Sequence, residues 1–143
     1  MSSRRSAEHG FTLVELMVVI VIIGLLATIV AVNVLPAGDK AAMEKARADI
    51  ATLEQALEMY RLDNLAYPQT TDGLKALVAP PPGLAQPQRY RPGGYVKRLP
   101  DDPWGRPYLY AAPGTHGPVD VWTLGADGKE GGEAENADIG NWD

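Results

Sequence analysis

The sequence predicts an α+β fold, a long N-terminal helix whose second half packs on a small antiparallel sheet. Three observations carry this. Phe11 to Val32 is a 22-residue apolar run broken by one acid, Glu15. Met43, Ala46, Ile50, Leu53, Leu57 and Tyr60 then recur at spacings of 3, 4, 3, 4 and 3, the mark of one buried helical face. Late in the chain, Tyr108-Leu109-Tyr110-Ala111 and Val119-Asp120-Val121-Trp122-Thr123-Leu124 read as strands, the second alternating strongly.

A 22-residue helix rises about 33 Å, enough to cross a hydrocarbon core roughly 30 Å thick. A secretory signal has an apolar region of about 7 to 15 residues and small residues at its cleavage site, so this run is too long for one. Arg4 and Arg5 precede it and Asp39 follows it, and no charged side chain lies between Leu16 and Gly38. The positive-inside bias leaves the N-terminus cytoplasmic and the bulk of the chain outside. An ionisable group such as Glu15 in a spanning segment is costly. The residues alone leave two readings open, a carboxylate that snorkels to the headgroups and one with a function.

Val34-Leu35-Pro36-Ala37-Gly38 interrupts the pattern, and the missing donor of Pro36 predicts a kink or an unwound stretch. The helix resumes at Asp39, a suitable N-cap, and runs over 39–62. Thr71 to Val78 predicts a turn and a short helix, stopped at Pro80-Pro81-Pro82-Gly83. Ten of the 12 prolines fall between Pro80 and Pro118, so this stretch is mostly loop. The two strands pair as a hairpin across Pro113 to Pro118.

With 143 residues there is room for one small domain behind an anchor. The absence of cysteine excludes disulfides and thiolate metal sites. Every serine lies at Ser2, Ser3 or Ser6, and beyond Gly10 there is a single histidine, His116, so Ser-His and Cys-His hydrolase chemistry cannot be assembled. The net charge of -5 resides entirely in residues 127–143, where six acids face Lys129 alone. No basic face is clustered, which argues against nucleic acid.

That acidic stretch carries the strongest chemical signal. Leu124 to Ile139 is rich in glycine and oxygen donors and has no thiol or imidazole, the ligand set that a hard cation such as calcium takes. The acids miss EF-hand positions, and a solvated terminal tail would have the same composition. Ile139 and Trp142 favour an end that is packed down. Asp101-Asp102 reads as a turn ahead of Pro103 rather than an acid pair, Trp104 and Tyr108 as packing residues, and His116 as solvent-exposed. Gly93-Gly94 lacks the strand, helix and lysine of a phosphate loop.

Gly10-Phe11-Thr12-Leu13-Val14-Glu15, behind a short basic leader and ahead of an apolar helix, resembles the class III signal of type IV pilins and type II secretion pseudopilins. Tyr67-Pro68, Gly73-Leu74, Leu99-Pro100-Asp101-Asp102-Pro103-Trp104-Gly105-Arg106-Pro107-Tyr108, Leu124-Gly125-Ala126-Asp127-Gly128 and Ala137-Asp138-Ile139-Gly140-Asn141-Trp142 resemble the major pseudopilins of type II secretion systems, from Gly10 to the C-terminus. The resemblance implies a pilin-like organisation: a leader at 1–10, a transmembrane and polymerisation helix at 11–35, and a periplasmic domain at 36–143 with a calcium loop at 124–139. A prepilin peptidase would cut between Gly10 and Phe11 and methylate the new terminus, whose amine Glu15 of an adjacent subunit would neutralise. Calcium would be held by Asp127 and Asp138, the carbonyls of Leu124 and Lys129, and Asn136, with Glu133 and Glu135 weaker candidates. The implied partners are further copies in a helical homopolymer, minor pseudopilins, an inner-membrane assembly platform and the membrane. The implied setting is the inner membrane and periplasm of a Gram-negative bacterium. The Val34–Gly38 stretch would melt on assembly or simply mark a boundary. A type IV pilin, for which the missing cysteines count against the match, a minor pseudopilin and a monomeric anchored calcium module are the rivals.

Overall fold

The computed structural model describes residues 10–143, without the side chains of residues 31–37; the leader up to residue 9, with Arg4 and Arg5, lies outside the described residues. One helix, α1 (Leu13–Asn64), holds 52 residues. It runs through Pro36 as continuous helix, so of the kink or unwound stretch expected there the unwinding is not found, and the 39–62 helix is part of α1. A proline removes one backbone donor and leaves the remaining ladder in place. Two compact units are distinct among the described residues, one ending at Gly38 and the other running from Asp39 to Asp143.

In the first unit, Thr12-Leu13-Val14-Glu15 has the spacing of a capping box. The Glu15 amide donates to Thr12 Oγ1 at 3.2 Å, satisfying one of the orphan donors of the first turn. Leu13–Val30 is apolar enough and long enough to cross a membrane, with a mean hydropathy of 3.0. The large side chains from Phe11 to Val30 all stand exposed.

The second unit has its own core. Ala46, Ile50, Leu53, Ala56, Leu57 and Tyr60 form the buried stripe of α1, and Met43 packs at its edge. The stripe meets Leu74, Ala76 and Leu77 of a short 3-10 helix (Leu74–Leu77), together with Tyr90, Tyr108, Val119, Val121 and Ile139. The sheet has three antiparallel strands in the order β1 (Leu109–Ala111), β2 (Asp120–Thr123) and β3 (Ile139–Gly140). The hairpin register sets Leu109 opposite Trp122 and Ala111 opposite Asp120.

Tyrosines tie the proline-rich loops to the helix and to each other. Tyr108 donates to Asp49 Oδ2 at 2.8 Å, Tyr90 to the Ala76 carbonyl at 2.8 Å and Tyr110 to the Pro68 carbonyl at 2.6 Å. The rings of Tyr60, Tyr90 and Tyr95 meet edge to face with centroids 5.2 to 6.2 Å apart. Gly94 is a close-approach residue: its φ is 80° and a Cβ there would lie 2.8 Å from the Leu77 carbonyl.

Candidate assembly helix and C-terminal oxygen-rich loop

Phe11 and Glu15 are exposed, and nothing lies within 4 Å of a Cβ built on Gly10. Glu15 sits in the first turn of α1, where the helix dipole favours a negative charge.

The second candidate is the loop between β2 and β3. Its ends are pinned by the ladder, with Thr123 opposite Ile139 and Trp122 opposite Gly140. Within it, the Ala126 amide donates to the Glu135 carbonyl at 2.9 Å. Asp127 Oδ1 accepts from the Lys129 amide at 3.0 Å, and Asp138 Oδ2 from the Gly131 amide at 3.1 Å. Asn136 lies in a 3-10 turn (Ala134–Asn136) that starts from Ala134 at a φ of 52°. Gly125 and Gly132 admit no side chain, because a Cβ on either would fall within 3 Å of the Asn136 carbonyl. Both have positive φ, which makes glycine the residue that fits.

Of the sequence-predicted ligands, Asp127 and Lys129 are exposed, while Leu124, Asn136 and Asp138 are half-buried in the same loop. Glu133 is exposed and Glu135 half-buried. Asp127 and Asp138 each hold a separate amide. Among the described residues no three His, Cys, Asp or Glu side chains converge on one point, so a cation here would be held jointly by side chains and carbonyls. One observation favours such a role: Asp138 Oδ1 is buried and has no hydrogen-bond partner. A buried carboxylate oxygen without a partner is costly, and a hard cation would satisfy it.

Two features were not foreseen. Asp102, read as a turn residue, is 5% exposed and is a hydrogen-bond hub. Its Oδ1 accepts from the amides of Trp104 at 3.0 Å and Arg106 at 2.8 Å, and its Oδ2 from the Thr123 hydroxyl at 2.6 Å. The turn reading itself holds, because the Gly105 amide donates to the Asp102 carbonyl. The Asp-Pro-x-Gly pattern signals the turn, whereas burial of the second acid has no sequence mark. His116 is exposed as expected, yet its ring stacks on Trp142 with centroids 3.8 Å apart, and its Nδ1 lies 3.1 Å from Asp120 Oδ2. Burial pushes the Asp120 carboxyl up, but the His116 ring and the amides of Thr115 and His116 outweigh it and hold the group below its ordinary value.

The family of prokaryotic N-terminal methylation motifs matches residues 5–31. The family described as type II secretion system (T2SS), protein G, matches residues 33–142, well over half of the chain. The chain belongs to the protein G family. A type II secretion system core protein G of Pseudomonas aeruginosa is 54% identical over 140 residues, covering 98% of this chain and 99% of the relative. One from Vibrio cholerae is 58% identical over 135 residues, 94% of this chain and 92% of the relative. The crystal structure of the major pseudopilin from the type 2 secretion system of enterohaemorrhagic Escherichia coli is 44% identical, with a TM-score of 0.66 over 77% of this chain and 94% of that one. This protein G chain is therefore a pseudopilus subunit of type II secretion, from a family of structural subunits rather than enzymes. Its long helix and small antiparallel sheet are the fold the sequence predicted. The methylation motif and the apolar helix fit anchoring in the inner membrane.

Proposed function

We propose that the chain, cut between Gly10 and Phe11 and methylated by a prepilin peptidase, polymerises through its N-terminal helix into a periplasmic pseudopilus that drives folded proteins across the outer membrane. The observation that carries this is the contrast between an apolar helix with every large side chain exposed from Phe11 to Val30 and a domain whose core is complete without it. In the membrane, lipid covers that surface; in the fibre, neighbouring copies would. Glu15 gives the fibre its register, since a carboxylate inside an apolar bundle is tolerated when it meets the amine of the next subunit's Phe11. Minor pseudopilins and an inner-membrane assembly platform are the further partners. The His116–Asp120 pair has no serine or cysteine beyond Gly10 to activate, in keeping with a structural rather than catalytic role.

We further propose that calcium locks the C-terminal loop, held by Asp127, Asp138 and Asn136 and by the carbonyls of Leu124 and Lys129. Bound there, it would supply a divalent charge that neutralises the loop's acids. The buried, partnerless Asp138 Oδ1 and the all-oxygen donor set support this. Lys129 contributes only its carbonyl.

Assembly is tested by Glu15→Gln in cells producing the rest of the secretion machinery. Electron microscopy should then show no fibres and secretion should fail, although the subunit is still processed and its domain melts as before. Fibres as abundant as those of the unsubstituted chain would refute the pairing role.

A further inference from the structure

Resting on the calcium reading, we infer that Asp102, acting through Arg106 and Thr123, is the positioning residue of the C-terminal loop. It seats both backbone groups of Gly125, and with them the adjoining carbonyl of Leu124 and, two residues on, Asp127. None of the three residues belongs to the ligand set.

The argument follows a relay. Asp102 closes its own turn, since its amide donates to the Arg106 carbonyl at 2.7 Å and its Oδ1 takes the Arg106 amide at 2.8 Å. Arg106 is thereby fixed at its backbone, and its Nε lies 4.0 Å from Asp102 Oδ2. From this base its Nη2 donates to the Gly125 carbonyl. The guanidinium then runs along the turn, because a Cβ on Gly128 would lie 3.0 Å from Arg106 Cζ. The second arm passes through Thr123. Its hydroxyl gives its one proton to Asp102 Oδ2 at 2.6 Å, which leaves its lone pairs to face the Gly125 amide at 3.4 Å. The amide and carbonyl of Gly125 are thus both held, by two residues that answer to the same buried carboxylate. Residues outside the ligand set that orient ligands typically change metal affinity by about 10- to 100-fold when removed.

Arg106 makes the inference separable from a purely electrostatic role. A guanidinium beside a cation site repels the cation, so a residue acting only through charge would weaken binding and its neutral variant would bind more tightly. A positioning residue predicts the opposite sign. Arg106 is 41% exposed, so its substitution leaves the core intact.

The experiment uses the full processed chain in detergent micelles. Calcium is titrated calorimetrically after chelator treatment, and hydrogen exchange of the Gly125 to Gly128 amides is followed in chelator. Arg106→Gln and Thr123→Val should each weaken calcium binding by about 10- to 100-fold and speed exchange of those amides. The melting temperature in chelator should be unchanged in Arg106→Gln and lowered in Thr123→Val, which takes a donor from the buried Asp102 carboxylate. Arg106→Lys, which keeps the charge and loses the fork, should resemble Arg106→Gln. Affinity that is unchanged or tighter in Arg106→Gln, while the unsubstituted chain binds calcium, overturns the positioning role and leaves the calcium reading standing. An unsubstituted chain that binds no calcium overturns both, and that single result tells the two failures apart.

Discussion

Leu25 and Leu53 lie on the same helix and end in opposite circumstances, the first 62% exposed and the second fully buried. The difference is one of pattern. Around Leu53, charged residues such as Lys45, Asp49 and Glu58 fill the faces that the apolar stripe leaves, so a single face is buried against the sheet and loops. Around Leu25 the helix is apolar on every face, and its large side chains stand exposed among the described residues. One half of α1 is stabilised by its own domain, the other by whatever surrounds it.

The comparison is sharpened most by cutting into each half in turn. Leu57→Ala should lower the unfolding free energy of the domain by about 2 to 5 kcal/mol, because Leu57 is fully buried in the domain's core and its removal leaves a cavity there. Leu25→Ala should leave denaturant unfolding of the same domain unchanged. Equal effects would mean that the two halves do not differ as described.

Next in size is the ion. Under the calcium reading, saturation to about a hundred times the dissociation constant raises stability by about 2.7 kcal/mol, seen as a rise in melting temperature that chelator reverses. Asp138→Ala and Asp127→Ala should each abolish that rise. A chelator-insensitive melting temperature in the unsubstituted chain would return the loop to an acidic tail.

Tyr108→Phe is smaller. It removes the hydrogen bond to Asp49, which keeps its ion pair with Lys45 at 2.8 Å, and should cost about 0.5 to 1.5 kcal/mol by urea titration. The smallest effect depends on pH. The carboxyl of Asp120 titrates below its ordinary value of 3.8 in the folded chain, so the unfolded chain takes the proton first as pH falls. Its contribution is complete above the ordinary carboxylate range and is lost as pH drops through the lower folded value. Asp120→Asn should flatten that part of the acid limb of the stability curve, whereas an unaltered limb would remove Asp120 from it.

The sequence was most legible where one face repeats. The stripe from Met43 to Tyr60 and the hairpin from Tyr108 to Leu124 could be read because helical and strand periods leave a mark over several residues. Strand β3 could not, since it has two residues, one of them a glycine, and exists through its pairing with Trp122 and Thr123. The continuity of the helix through Pro36 was not legible, because a local rule on proline says what one residue loses and nothing about the turns on either side. At the loop, composition announced oxygen donors, yet which of them is buried depends on β3 returning the chain to β2 and placing Asp138. Asp102 and the stacking of His116 on Trp142 join residues 20 or more positions apart, beyond any local pattern.

The division of labour between the halves is tested most directly by comparing residues 39–143, produced alone, with the processed full chain. The truncated domain should be a monomer that unfolds cooperatively, and only the full chain should form fibres under the electron microscope. A truncated domain that assembles into fibres, or that fails to fold, would contradict the account.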